Sequence, residues 1–121
     1  MKKILIVEDD PDIAHALGLR LKAADYDVVT AYDAVLGTMA ATREQPDLAI
    51  LDISMPGGDG IMLSERFKEN SENAGPPVIF ITASKKPEIR ERAMAAGAAG
   101  FFEKPYDAHE VLQLVHNVLS E

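Results

Sequence analysis

The stretch Pro46-Asp47-Leu48-Ala49-Ile50-Leu51-Asp52-Ile53-Ser54-Met55-Pro56-Gly57-Gly58-Asp59-Gly60 decides the fold. Leu48 to Leu51 is a short continuous apolar run, suited to a strand buried on both faces in the middle of a parallel sheet. Asp52 follows at once, and Pro56-Gly57-Gly58 then forces a loop. A carboxylate at the carboxyl end of a buried parallel strand stands where open α/β sheets put their ligand sites. Taken alone, Asp52 is equally well explained as a residue that caps or turns the chain. The segments on either side decide between the two.

Toward the N-terminus, Ile4 to Val7 is an apolar run that reads as the first strand. Asp10-Pro11 supplies an N-cap and a proline at the first helical position. Ile13, Leu17, Leu21 and Ala24 follow at helical spacing and predict the apolar face of a first helix, which Asp25-Tyr26-Asp27 breaks. Val28 to Ala31 is a short β-branched strand. Asp33 then caps a second helix through about Glu44, with Val35, Met39 and Ala40 expected to face inward.

Toward the C-terminus, a third helix is predicted from Gly60 to about Glu69, burying Leu63 and Phe67. Asn70 to Pro77 is polar and rich in Pro and Gly, and reads as a loop. Val78 to Ile81 is the fourth buried strand, ended by Thr82. Pro87 to Ala96 reads as the fourth helix, stopped by Gly97. Ala99 to Phe102 is a fifth strand, followed by Lys104-Pro105. Asp107 opens the last helix with Glu110 as its capping-box partner, and Val111, Leu112, Val115, Val118 and Leu119 form its apolar stripe. Five strand-then-helix units predict an α/β fold with a parallel sheet, helices on both faces and right-handed crossovers. Residues 1–121 read as one domain, with no repeat and no low-complexity tract.

Composition narrows the function. The chain of 121 residues is 47% apolar, enough for a real core. It has no cysteine, which excludes a disulfide scaffold, thiol catalysis and a thiolate metal site, and fits a reducing cytoplasm. No apolar run approaches a membrane span, and Glu8-Asp9-Asp10 ends the N-terminal apolar run too early for a signal peptide. A formal charge of −8 argues against direct nucleic-acid binding and suits a module that holds a cation or meets basic partners.

The residues just past the strands are Glu8 and Asp9, Asp52, Thr82 and Lys104. In a parallel sheet these strand ends share one edge, so three carboxylates, a hydroxyl and an ammonium converge there. Packed carboxylates resist joint ionisation unless a cation accompanies them, and a hard divalent ion with oxygen ligands, such as magnesium, resolves the conflict. A carboxylate beside magnesium, a lysine and a hydroxyl is equipped to accept a phosphoryl group. That chemistry asks mainly for positioning and for neutralised equatorial oxygens.

At this point the sequence resembles the response-regulator receiver domain of two-component signalling, and the resemblance covers essentially the whole chain. It rests on Ile6-Val7-Glu8-Asp9-Asp10, Leu51-Asp52-Ile53-Ser54-Met55-Pro56-Gly57-Gly58-Asp59-Gly60, Ile81-Thr82-Ala83 and Lys104-Pro105. The resemblance implies a flavodoxin-like sheet of order 2-1-3-4-5. It implies that Asp52 is the phosphoacceptor, and that Asp9 binds magnesium directly (manganese being an alternative) while Glu8 acts largely through water. The Ser54 carbonyl would be a further metal ligand. Thr82, the Ala83 backbone N–H and Lys104 would contact the phosphoryl group, Phe101 would be the switch aromatic, and Lys104-Pro105 would be cis. The implied role is a cytoplasmic signalling switch rather than an enzyme. It would accept phosphate from a histidine kinase or phosphotransfer protein, lose it slowly by its own hydrolysis, and present the surface around its fourth and fifth helices to an effector protein.

Each residue also has a plain reading: Glu8 a solvated loop acid, Asp10 a helix cap, Asp59 a structural residue, Thr82 an ordinary strand end, Phe101 core, Lys104 a surface charge. His15, His109 and His116 lack paired spacing and read as surface residues. The alternatives are a degenerate receiver that acts without phosphate and a receiver fragment of a larger regulator. An aspartate-nucleophile phosphohydrolase would need a second aspartate where Ser54 stands. A flavin-binding protein would need a phosphate-binding loop where Glu8-Asp9-Asp10 stands. Acidic residues before the strand-five aromatic and arginine in the last helix, usual in winged-helix transcription-factor receivers, are replaced here by Ala98-Ala99-Gly100 and by Gln113, His116 and Asn117.

Overall fold

In the computed structural model, which describes residues 1–55, 59–69 and 75–120, strand and helix alternate five times. The elements are β1 (Lys3–Val7), α1 (Pro11–Ala23), β2 (Asp27–Ala31), α2 (Ala34–Glu44), β3 (Leu48–Asp52), α3 (Gly60–Glu69), β4 (Val78–Thr82), α4 (Pro87–Ala95), β5 (Gly100–Glu103) and α5 (Ala108–Leu119). The loop expected at Pro56-Gly57-Gly58 and most of the one expected from Asn70 lie outside the described residues.

All strand pairs are parallel, in the order β2-β1-β3-β4-β5. Side chains alternate between two faces, as the pleat requires. Ile4, Ile6, Leu48, Ile50, Ile79 and Ile81 share a core with Leu17 and Leu21 of α1 and Val111 and Val115 of α5. Leu5, Val7, Ala49, Leu51, Val78 and Phe80 share the other with Ala40 of α2, Leu63 and Phe67 of α3, and Ala93 of α4. The three central strands are buried on both faces, which is why they read as apolar runs rather than alternating patterns.

Aspartates begin four of the helices. Asp10 accepts from the amides of Asp12 and Ile13, Asp33 from Leu36, Asp59 from Met62 and Asp107 from His109. Each satisfies a helix N–H that has no partner within the helix. Glu110 donates its backbone N–H to the Asp107 carbonyl, but among the described residues its side chain makes no return bond, so the expected capping box is only half made. Gly97 ends α4 at φ +85°, in the left-handed region expected of it. The Lys104-Pro105 bond is cis.

The structure corrects three inward assignments. Ala24 lies just past α1 and is exposed. Val35 and Met39 point outward, while α2 buries Ala34, Gly37 and Ala40. The reason is close approach. A Cβ on Gly37 would stand 3.0 Å from Val7 Cγ2 and 3.2 Å from Leu63 Cδ2, so only small residues fit on the inner face of α2. Leu114, absent from the predicted stripe, packs over Gly100, where a Cβ would collide with its side chain.

Candidate functional site

The order of the sheet sets β1 and β3 side by side at its centre, with β4 next, so their carboxyl ends form one edge. Glu8 is fixed directly after β1 by its backbone N–H, which donates to the Ala31 carbonyl at 3.1 Å. Asp52 is the last residue of β3 and Thr82 the last of β4. The N–H of Lys104 donates to the Thr82 carbonyl at 2.8 Å, extending the β4–β5 ladder far enough to aim the lysine back across the edge.

There the Lys104 ammonium lies 2.6 Å from Glu8 Oε1 and 3.0 Å from Asp52 Oδ2. The other Glu8 oxygen accepts from the Asp10 amide at 3.1 Å, and Asp52 Oδ1 accepts from the Ser54 amide at 2.9 Å. Both carboxylates are buried, whereas Asp9 is exposed above them. One oxygen each from Glu8, Asp9 and Asp52 lies within 4.8 Å of the others. The buried Thr82 hydroxyl accepts from the Ser84 amide at 3.0 Å and stands 3.4 Å from the Ser54 hydroxyl.

Burial pushes the Glu8 carboxyl up to about 7, assisted by its hydrogen bond with Asp52 and opposed by Lys104. Burial pulls the Lys104 ammonium down, but its bonds to Glu8 and Asp52 outweigh that and raise it, so it stays charged. With every group ionised, three carboxylates against one ammonium leave two negative charges in excess. Glu8 Oε1 is buried and lacks a well-aligned hydrogen bond despite its ion-pair contact. An all-oxygen donor set with this charge deficit and an unsatisfied buried oxygen fits a hard divalent cation of the magnesium type.

Five of the residues singled out in the sequence thus meet at one edge: Glu8, Asp9, Asp52, Thr82 and Lys104. Ser54 joins them through its amide and hydroxyl. Ala83 follows Thr82 on the exposed side of the edge. Phe101 is not among the carboxylates. It lies in β5, half-buried and in register with Phe80 of β4, with the Arg90 guanidinium 5.2 Å from its ring centre. The plain readings of Glu8 as solvated and Lys104 as a surface charge do not hold, while Asp10 and Asp59 do cap helices. His15, His109 and His116 are exposed, as expected.

Two features escaped the sequence reading. Tyr106 is half-buried near the cluster, and its phenol is raised by burial and by the charge of Glu8. Its position two residues past Lys104 was the only available signal. Arg92 of α4 pairs with Asp59 at 3.2 Å, and the Lys68 ammonium of α3 donates to the Ala96 carbonyl at 2.6 Å. These two links hold α4 against the α3 side of the molecule, and no local pattern announces such pairings.

A doubly wound sheet of this order, with an acidic cluster and a lysine at its central carboxyl edge, defines the receiver class of α/β domains. Comparison with known proteins agrees. Residues 4–116 match the family model of the response regulator receiver domain. The chain belongs to that family, the signalling switches of two-component systems. It is 34% identical over 98% of its length to the DNA-binding dual master transcriptional regulator RpaA of Synechocystis, of which it spans 49%. It is 29% identical to Protein PilH of Pseudomonas aeruginosa, with 99% of each chain covered. The structure of chemotaxis protein CheY4 of Vibrio cholerae superimposes with a TM-score of 0.90 at 28% identity, covering 98% of this chain and 99% of that one. The chain spans about half the length of the first curated relatives it matches. No helix among the described residues is long and apolar enough to cross a membrane.

Proposed function

We propose that residues 1–121 act as one receiver unit that accepts a phosphoryl group on Asp52 from a phosphohistidine of a kinase or phosphotransfer protein. An Asp52 carboxylate oxygen attacks phosphorus, forming an O–P bond. The N–P bond breaks, its electron pair stays on the donor imidazole, and that ring takes up a proton. Asp9, Glu8, Asp52 and the Ser54 carbonyl are the candidate holders of magnesium or manganese, which would neutralise the cluster and orient phosphoryl oxygens when bound. Lys104 leaves its bond to Asp52 Oδ2 for the incoming phosphoryl oxygens, and Thr82 and the Ala83 N–H supply further donors.

The observation that most supports this reading is the Lys104 ammonium held between two buried carboxylates, 2.6 Å from one and 3.0 Å from the other. A surface ion pair has no need of such burial, whereas an anion-receiving aspartate does. The new group adds roughly −1.5 to −2 charges. Thr82 and Phe101 then carry the change to α4, β5 and α5, whose outer surface meets an effector protein. The reading is of a cytoplasmic switch that lets its own acyl phosphate hydrolyse slowly and does not itself bind DNA or membrane. The acidity of the chain supports the last point, because counterion release on DNA rewards basic surfaces. RpaA is described as DNA-binding, but this chain spans only half of it.

Incubation with magnesium and acetyl phosphate, followed by intact mass, tests the proposal. One phosphoryl adduct is expected, absent without magnesium and absent from Asp52→Asn. An adduct that persists in Asp52→Asn would remove the assignment. Beryllofluoride binding, run in parallel, covers an adduct that decays too fast to weigh.

A further inference from the structure

The outward face of α2 is built the wrong way round for a helix that serves one chain alone. Its small residues face the sheet, and its large apolar residues face solvent. Val35, Leu36 and Met39, with Tyr32 one turn before them, are between 46% and 62% exposed. Ala34 to Thr42 is a run of nine residues without a charge, in a chain whose net charge is −8. The other helices spread charged or ionisable residues along their solvent-facing positions (Asp12, Arg20 and Lys22 on α1, Glu65, Arg66 and Lys68 on α3, Glu88, Arg90, Glu91 and Arg92 on α4, Glu110 with His109 and His116 on α5), whereas α2 has its exposed charge only in the last turn, at Arg43. Four large side chains at about half exposure make a patch of roughly 300–600 Å², the size of the largest apolar patch on an ordinary monomer and often a functional one.

The ends of this face carry opposite charges. Asp33 stands at its N-terminal end and Arg43 at its C-terminal end, ten residues or about 15 Å apart along the helix. Met39 is central, both along the stripe and across it. Glu44 lies on the other side of the helix, tied to Lys3 at 3.0 Å. Arg43 uses its Nε on Glu44 at 2.9 Å, leaving the two terminal nitrogens of its guanidinium for a further acceptor. Asp33 caps α2 through Oδ1, leaving Oδ2 for a further donor.

We infer that α2 is a self-association surface, on which a second copy of this chain packs its own α2 antiparallel across a two-fold axis beside Met39. Only an antiparallel arrangement sets each Asp33 against the partner copy's Arg43, so the face is complementary to itself, as an isologous interface must be. A heterologous partner would have no reason to match both ends at once. The area sets the strength. Two such patches with their polar rims approach about 1,000 Å² in total, the lower end for specific association, so the dimer is weak and depends on concentration. None of these face residues belongs to the Glu8, Asp9, Asp52, Thr82 and Lys104 cluster, so the association is tested without phosphorylation.

The absence of cysteine allows a clean experiment on the whole chain. Met39→Cys brings two thiols together at the axis, and mild oxidation is expected to give a disulfide dimer rapidly. Asn117→Cys, exposed on α5, is the control and should remain monomeric under the same conditions. Sedimentation equilibrium of the unmodified chain should show reversible dimerisation at hundreds of micromolar. Arg43→Glu, which sets like charges against Asp33, should weaken it about tenfold or more, and Met39→Glu should abolish it while circular dichroism stays unchanged. The same dimerisation in Asp52→Asn would separate this inference from the phosphoryl proposal. Equal crosslinking at the two cysteine positions would overturn it, as would a strictly monomeric chain at every concentration or a Met39→Glu variant that still dimerises.

Discussion

Glu8 carries the sharpest consequence at the scale of single residues. Its carboxyl titrates near 7 in the folded chain, against 4.5 for an ordinary glutamate. The folded state therefore holds the proton more tightly than the unfolded state does. Below about 4.5 both states are protonated and there is no penalty. As pH rises from 4.5 to 7 the unfolded chain releases the proton first, so the contribution of Glu8 to stability falls, by an amount on the order of 3 kcal/mol, and levels off above 7. Urea unfolding of metal-free protein at pH 5 and pH 8 should show this. Glu8→Gln should gain a few kcal/mol over the native chain at pH 8 and little at pH 5. An equal gain at both values would mean that Glu8 does not bear the buried charge. The sequence showed that Glu8 is acidic and ends a strand, but not that it is buried. Burial follows from Ala31 accepting its N–H and from Lys104 crossing the edge, contacts made by residues far away in the chain.

At the scale of elements, α3 is seated against the strand that ends in Asp52. A Cβ on Gly60 would stand 2.5 Å from the Asp52 carbonyl oxygen and 3.0 Å from its carbonyl carbon, both backbone atoms that cannot swing aside. Gly60→Ala should cost about 1–3 kcal/mol and, by shifting the end of β3, also slow phosphoryl acceptance. Chemical denaturation together with the rate of adduct formation would check both, and unchanged values would show that α3 can slide without moving the site. The strands were legible because their apolar runs and the parallel topology leave little choice. The faces of α2 were not. A helical period locates an apolar stripe but cannot say that Val7 and Leu63 approach so closely that the inner side must be Ala34, Gly37 and Ala40. The sequence places Val35 and Met39 inward together with Ala40, but only Ala40 is small enough for that face. Likewise the Arg92–Asp59 pair, which joins α4 to the start of α3, depends on two loops whose geometry no local pattern encodes.

At the scale of the whole molecule, a parallel sheet gathers residues up to ninety-six positions apart, from Glu8 to Lys104, onto one edge with more negative than positive charge. That is why the site could be read before the fold was seen: strict alternation of strand and helix leaves the strand ends nowhere else to go. The same gathering loads strain of an electrostatic kind into the metal-free molecule, and a divalent ion should relieve it. Magnesium is expected to raise the unfolding free energy by about 2.7 kcal/mol at a hundred times its dissociation constant, with a smaller effect at pH 5, where the proton on Glu8 competes. Thermal unfolding across a magnesium titration would read this, and Asp9→Asn should blunt it. A midpoint that ignores magnesium at pH 8 would show that the three carboxylates do not form a cation site.

The claim that Asp52 is the residue that takes the phosphoryl group can be met chemically. Borohydride cleaves an acyl phosphate and reduces the aspartyl side chain to homoserine, leaving a permanent mark where the labile group stood. Protein treated with acetyl phosphate and magnesium, reduced at once and digested, should carry homoserine at position 52 and nowhere else. Homoserine at position 9, or reduction products spread over several acidic residues, would contradict the account.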